Sequence, residues 1–311
     1  MQPIEYSIVV PVYCGKETLA ELCRRIIAVF DDVVRRSFEV ILVDDASPDE
    51  SWAVMQEIHE GDERIRIIRL ARNYGQQRAV LCGFAHATGE YVLTIDDDLQ
   101  HPPEEIPKLI SAMTTNHEVD VVIAAFESKQ HSWLRNCGTR ALKCCHSLIS
   151  GKDPRLQVTS FRLFRRHIIE QLLEVKMDTL SISLVAFHLT NRVVNAPVRH
   201  DPRKHGDSGY SYARLTKSYL LFILNNTAFP LRAISWIGIA SSIASLVLGG
   251  VYLWRYVTGV TTVPGWTTLV LLMVFYFGVL LLAVGVIGDY LIRILKATRR
   301  LPLYVVRDKR P

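Results

Sequence analysis

The sequence predicts an α/β fold, a doubly wound and mostly parallel sheet, followed by a C-terminal hairpin of two apolar helices. Three observations predict it. Short apolar runs alternate with helical patterns through residue 125. Two of those runs stop at acidic residues. Beyond residue 232, charge vanishes over two long stretches.

The elements follow in order. Residues 7–12 form a β-rich run closing on Pro11-Val12, and residues 17–30 place Leu19, Leu22, Ile26 and Val29 at helical spacing. The second strand, 38–43, ends in Asp44-Asp45. A helix is expected after Ser47-Pro48, where serine caps and proline suits the first turn. A third strand covers 66–70, a helix 76–87, a fourth strand 91–95 and a fifth 119–125. The fourth runs into Asp96-Asp97-Asp98. This βαβα order argues for parallel pairing. Ligands of such sheets bind beyond the carboxyl ends of the strands, so the two acidic groups are predicted to converge on one cleft.

The remainder of the 311 residues divides by composition. An α/β domain is expected over 1–212. Residues 213–231 are amphipathic, with Leu215, Tyr219, Phe222 and Ile223 alternating with Arg214, Lys217 and Asn225. They suit either a helix in the membrane interface or one packed on the soluble domain. No charge occurs between Arg232 and Arg255, nor between Arg255 and Asp289. Each run can cross a bilayer core of about 30 Å at about 1.5 Å per residue. Two transmembrane helices are therefore expected within 232–290, at about 233–254 and 266–288, with 291–311 as a C-terminal tail. A buried core helix is the competing reading of each.

Arg214, Lys217 and Arg232 precede the spans, and Arg293, Lys296, Arg299 and Arg300 follow them. By the positive-inside rule both ends are cytoplasmic and the link carrying Arg255 faces out. Residues 1–5 lack the basic start of a signal peptide. The expectation is a multi-pass protein of the cell (inner) membrane with its first domain in the cytoplasm. Gly238, Gly249-Gly250 and Gly285 permit close helix packing, and so a homo-oligomer through the spans.

The formal charge of +5 lies largely beside the spans, where it suits anionic lipid. No zinc-finger spacing or clustered basic helix points to nucleic acid. The six cysteines form no C-x-x-C pair and read as reduced thiols.

Three adjacent carboxylates repel one another, which invites a cation. Side chains at alternate positions of an extended segment point the same way, so Asp96 and Asp98 suit one hard divalent ion while Asp97 points elsewhere. Such an ion clamps the phosphates of a nucleotide. An exposed acidic turn is the plain alternative. Asp44-Asp45 suit hydroxyls of a base or ribose, or merely favour a helix N-terminus. Arg72-Asn73-Tyr74-Gly75-Gln76 precedes a helix, and His101-Pro102-Pro103-Glu104 turns the chain away from the triplet.

Together, Pro11-Val12-Tyr13, Val43-Asp44-Asp45-Ala46-Ser47, the 72–76 segment and the run from Asp96 to Glu104 resemble family 2 glycosyltransferases of the GT-A fold, specifically the polyprenyl-phosphate glycosyltransferases. The ending, Gly288-Asp289-Tyr290-Leu291 through Leu301-Pro302-Leu303-Tyr304, is similar to bacterial members. The resemblance implies transfer from a nucleotide-sugar, UDP-linked by expectation, to a polyprenyl phosphate such as undecaprenyl phosphate, with Mg²⁺ or Mn²⁺.

It also implies residue roles. Asp45 with Asp44 would hold the uridine beside Pro11, Tyr13 and Glu17, with Asn73 and Gln76 completing the donor site. Asp96 would lie near the nucleotide and the metal. Asp98 and Gln100 would bind the ion. The segment Thr159-Ser160-Phe161-Arg162 would face the acceptor. The basic loop from Arg203 to Tyr210 would close over donor and lipid phosphate through Arg203, Ser208 and Tyr210. The catalytic set is then Asp96, Asp98, Arg203, Arg162 and Ser160, each arginine being otherwise a surface ion pair.

Three departures from the family stand out. Cys14-Gly15 replace a usual Asn-Glu, Asp97 replaces a frequent alanine, and Ser160 replaces an aspartate of several bacterial relatives. A phosphate nucleophile needs no general base, since its second pKa is about 6. Inversion by direct displacement is expected. Two rivals are a processive polysaccharide synthase, whose Q-x-x-R-W motif is absent, and a non-catalytic membrane scaffold.

Overall fold

The computed structural model describes residues 3–116, 118–126, 156–175, 182–199, 201, 265–298 and 302–310, with isolated positions between 236 and 258. Strands β1 (Tyr6–Val12) and β2 (Phe38–Asp44) are buried along their whole length. That is the signature of a central parallel pair covered on both faces. Side chains alternate: Tyr6, Ile8, Val10 and Val12 enter one apolar cluster, and Val9 enters another across the sheet.

Between them, α1 (Leu19–Ala28) buries Leu19, Leu22, Cys23 and Ile26 on one stripe and passes into a wider turn, Val29–Val34, that ends at the left-handed Arg35. Helix α2 (Ser51–Gly61), β3 (Ile65–Leu70), α3 (Gln76–His86) and β4 (Tyr91–Thr94) follow. Helix α3 lies close enough to the sheet that a Cβ on Gly83 would sit 2.2 Å from Val9 Cγ1. After α4 (Ile106–Thr115) and β5 (Val121–Phe126), the described chain resumes with β6 (Arg162–Arg165), α5 (Arg166–Glu174), α6 (Ile182–Leu189) and β7 (Val193–Val198). Helices α1, α2 and α4 feed the first cluster, and α3, α5 and α6 the second. The sheet is thus doubly wound.

Its eight strands run β7-β5-β6-β4-β1-β2-β3-β8. The parallel core is the expected one, but β6 runs antiparallel between β4 and β5, pairing Thr94 with Arg162. That insertion carries residues 159–162 to the end of β4, beside the acidic triplet.

The last strand departs from expectation. Residues 291–311 are not simply a tail: β8 (Val306–Arg310) pairs antiparallel with β3, and the Ala71 amide donates to Val305 O at 2.8 Å. The chain divides into two units, Met1–Ser208 with Leu301–Pro311, and Gly209–Arg300. The second unit is therefore an insertion in the sequence of the first. It contains α7 (Trp266–Thr298), whose segment Phe275–Ile292 has a mean hydropathy of 2.0 and is long and apolar enough to cross a membrane. Among the described residues it is the one such helix. The span expected at 266–288 belongs to this longer helix. The span at 233–254 and the amphipathic 213–231 fall largely or wholly outside the described residues.

At the edge opposite the strand carboxyl ends, Glu39 is 2% exposed. Ser7 Oγ, the Thr88 amide and Thr88 Oγ1 donate to its Oε1, and Arg66 Nη1 to its Oε2, all at 2.7 Å. Burial pushes this carboxyl up, but those bonds outweigh it and hold it below the ordinary value. Its stabilising contribution is thus complete above the usual carboxylate range and lost as pH falls through the depressed folded value. Glu39→Ala strands these donors and is expected to cost about 3 kcal/mol. Urea unfolding at pH 7 checks this; the wild-type advantage should shrink toward pH 4.

Candidate active site

Where β1, β2 and β4 end, the chain leaves a cleft of about 720 Å³ lined by residues 11–18, Asp45, Asp49, Asn73, Gly75, Gln76 and residues 96–98. Every expected donor-site residue lines it except Asp44. Strand β2 brings two adjacent carboxylates to its end, and they diverge. Asp44 is fully buried; its Oδ1 accepts the Ser47 amide at 2.8 Å and its Oδ2 faces Arg69 Nε at 3.1 Å. The assignment of Asp44 to the donor is corrected accordingly: it is an ion pair beneath the turn, without access to a ligand. Asp45 reaches the cleft, yet its two oxygens accept the amides of Tyr74 and Gly75, each at 2.7 Å. It therefore fastens the loop before α3 to the end of β2. Burial raises the Asp45 carboxyl and these amides oppose the rise.

The acidic triplet divides similarly. Gln76 Nε2 donates to Asp96 Oδ1 at 2.6 Å, and Ser160 Oγ donates to Oδ2. Ser160, on the segment entering β6, thus orients Asp96. Asp98 Oδ1 accepts the Gln100 amide at 3.1 Å across a turn in which Leu99 is left-handed, φ 59°. Asp97 turns toward β1: its Oδ2 accepts the Tyr13 amide at 3.2 Å. Burial pushes the Asp97 carboxyl up to about 7, the Tyr13 amide opposes, and Asp96 and Asp98 add to the rise.

Arg162 is 6% exposed and does not line the cleft. Its Nε donates to Thr159 O, while Nη1 has no hydrogen-bond partner among the described residues. Burial lowers its pKa to about 10, opposed by the nearby Asp96 carboxylate. The expected contact of Arg162 with acceptor phosphate stays a proposal: among the described residues its guanidinium is buried on β6, with the Asp96 carboxylate near enough to act on its charge. The cleft is not lined by Gln100 either, whose carbonyl accepts the Asp201 amide at 3.1 Å. Arg203, Ser208 and Tyr210 lie outside the described residues. The chain leading to them is anchored here, since Arg199 also donates its amide (3.2 Å) and Nε (3.1 Å) to buried Glu105.

Among the described residues no group of three or more His, Cys, Asp or Glu side chains forms a metal cage. Magnesium-like ions do not require one. They are held by one or two carboxylates plus substrate phosphates and water. Asp96 and Asp98, oxygen donors on one wall of the cleft, fit that pattern.

Sequence reasoning missed Ser47 and Ser51, whose hydroxyls accept the amides of Cys14 (3.1 Å) and Gly15 (3.0 Å). Ser47 stood out only as a helix cap before Pro48 and as the last residue of the Val43–Ser47 segment, neither of which points to the Cys14 amide.

Residues 7–173 match the family described as Glycosyl transferase family 2. The chain belongs to glycosyl transferase family 2. Curated relatives include undecaprenyl-phosphate 4-deoxy-4-formamido-L-arabinose transferases. The protein from Sodalis glossinidius is 33% identical over 97% of this chain and 92% of its own, and that from Enterobacter sp. is 32% identical over the same shares. Among solved structures, glucosyl-3-phosphoglycerate synthase from Mycobacterium tuberculosis with Mn²⁺ and UDP-glucose matches 71% of this chain and 77% of its own, at 17% identity and a TM-score of 0.49. The family 2 glycosyltransferase read from the motifs is the family shown.

Proposed function

We propose that this family 2 glycosyltransferase moves a sugar from a nucleoside-diphosphate donor, UDP-linked, to a polyprenyl phosphate at the cytoplasmic membrane face, with inversion. The observation that carries the reading is the cleft, where Tyr13, Asp45, Asn73, Gln76, Asp96 and Asp98 line one wall system beyond the parallel strand ends. The acceptor class rests on relatives named as undecaprenyl-phosphate sugar transferases that span 97% of the chain.

The chemistry asks little of the protein as a base. A lipid phosphate oxygen, largely deprotonated near neutral pH, forms a bond to the anomeric carbon while the bond to the nucleoside diphosphate breaks. Mg²⁺ or Mn²⁺ held by Asp98 and Asp96 would supply charge neutralisation for the diphosphate. The half-exposed Tyr13 ring offers a face to the base. Asp45 holds the 72–76 loop so that Asn73 and Gln76 meet the donor. Arg203, Ser208 and Tyr210 complete the phosphate contacts, and the fastening of Arg199 and Asp201 beside the acidic triplet supports that role.

Strand β8 supports the two-span expectation. Both ends of the 209–300 insertion join one sheet-containing unit, which supports an even number of crossings between them. One apolar helix, α7, therefore asks for a partner crossing.

Full-length protein in undecaprenyl-phosphate nanodiscs, given Mn²⁺ or Mg²⁺ and a panel of UDP- and GDP-sugars, should release nucleoside diphosphate from one donor. The release should vanish when the polyprenyl phosphate is left out. Equal release without the lipid would sink the acceptor assignment.

A further inference from the structure

Three consecutive amides, those of Tyr13, Cys14 and Gly15, each donate to a side-chain oxygen from a different position: Asp97 Oδ2, Ser47 Oγ and Ser51 Oγ. Successive free amides in such a turn would make a nest for an anion. Here they are consumed by the protein, so the segment is a fixed wall of the cleft rather than a phosphate cradle. The geometry has two sides. Strand β1 lies between β2 and β4. Ser47 and Ser51 follow β2, and Asp97 follows β4, so the segment is pinned from both neighbours. Cys14 accommodates this in the left-handed region, φ 57°.

The room for Asp97 comes from Gly15. A Cβ at that position would stand 2.4 Å from Asp97 Oδ2 and 3.2 Å from its Cγ. The aspartate is short and its neighbour Asp96 is tied to Gln76 and Ser160, so it has little freedom to yield while keeping the Tyr13 amide. Tyr13 itself is 51% exposed. A ring that open takes its position from its backbone rather than from packing.

We infer that Asp97 is a positioning residue that latches residues 13–15 onto the end of β4, and that Gly15 and Asp97 form one unit setting the Tyr13 face of the donor cleft. The latch stands on the contacts above; its consequence for donor affinity rests on the donor reading of the cleft. No charge on Asp97 is required, only an acceptor oxygen, so asparagine should serve and alanine should not. Asp97 touches no reacting atom in this scheme, and its loss should raise the donor KM while leaving kcat nearly unchanged.

The test uses the full chain in nanodiscs and four variants: Asp97→Ala, Asp97→Asn, Gly15→Ala and the Gly15→Ala/Asp97→Ala double. Hydrogen exchange at the Tyr13 amide should rise about tenfold in Asp97→Ala, the cost of one lost hydrogen bond, and stay near wild type in Asp97→Asn. Gly15→Ala should match Asp97→Ala, because the new methyl expels the carboxylate. The double variant should exchange no faster than Asp97→Ala alone, a non-additivity that marks a shared contact. UDP binding with Mn²⁺ should weaken in the same order. Exchange in Asp97→Ala equal to wild type, or additive effects in the double variant, would overturn the latch. If exchange follows this pattern while the wild type binds no UDP, the latch stands and the donor reading falls.

Discussion

Asp98→Ala is expected to lower sugar transfer by roughly a thousandfold or more, about 4 kcal/mol of transition-state stabilisation, while leaving the fold intact. In the proposed reaction two reactants of like charge meet in this cleft, and its own charged lining on the β4 side is negative. Asp98 supplies the oxygen that would turn that liability into a cation site. Its Oδ1 is already oriented by the Gln100 amide, and the left-handed Leu99 bends the chain so that the carboxylate stays on the cleft wall. Removing it takes away a ligand without opening the core, because the side chain lines a solvent-filled cleft. Initial rates of nucleoside diphosphate release across a Mn²⁺ titration check this, with the unfolding midpoint as control. Turnover above a tenth of wild type at saturating Mn²⁺ would remove Asp98 from the metal role. Asp96→Ala would be a less clean probe, since it also releases Gln76, Ser160 and the buried charge of Arg162.

How much of this site was legible depends on the reach of each interaction. The strand ends were, because alternating apolar runs that stop at carboxylates report burial and its limit within a few residues. Which carboxylate of a pair faces outward was not. Strand β2 is buried on both faces, so its residues carry no alternation to set the parity of Asp44 against Asp45. The decision falls to Arg69 on the neighbouring strand and to the turn at Ala46, φ 54°. The burial of Arg162 was hidden for a related reason. Arginine in a four-residue strand, R-L-F-R, reads as a surface cation, and only the non-local pairing of β6 with β4 and β5 buries it. Strand alternation set Asp97 apart from Asp96 and Asp98, but β4 ends at Thr94 and the triplet lies in the turn beyond it, with all three carboxylates lining one cleft. The partner of Asp97, the Tyr13 amide, lies 84 residues away, beyond any local pattern.

Strand β8 was hidden by its own composition. V-R-D-K-R after an apolar helix reads as a basic juxtamembrane tail, whereas charged residues are also what a protected edge strand carries. Truncation after Arg300 is expected to destabilise the sheet unit by roughly 3–5 kcal/mol, a large part of a typical 5–15. Leu303, Tyr304 and Val306 pack against the cluster on the α3 side, and partial burial of each contributes about 1 kcal/mol. The ladder to β3 and the Ala71–Val305 bond add to that. The damage should also reach the donor cleft. Strand β3 leads straight into the 72–76 loop, whose Tyr74 and Gly75 amides hold Asp45, so loosening β3 frees that loop. Helix α7 is left whole by the truncation, which makes membrane association an internal control. Urea unfolding of wild type and truncated protein in the same nanodiscs measures the first effect, and UDP affinity the second. An unchanged midpoint would show that β8 only decorates the edge. A lowered midpoint that Tyr304→Ala partly reproduces would locate the contribution in the apolar contacts rather than in the charged ladder.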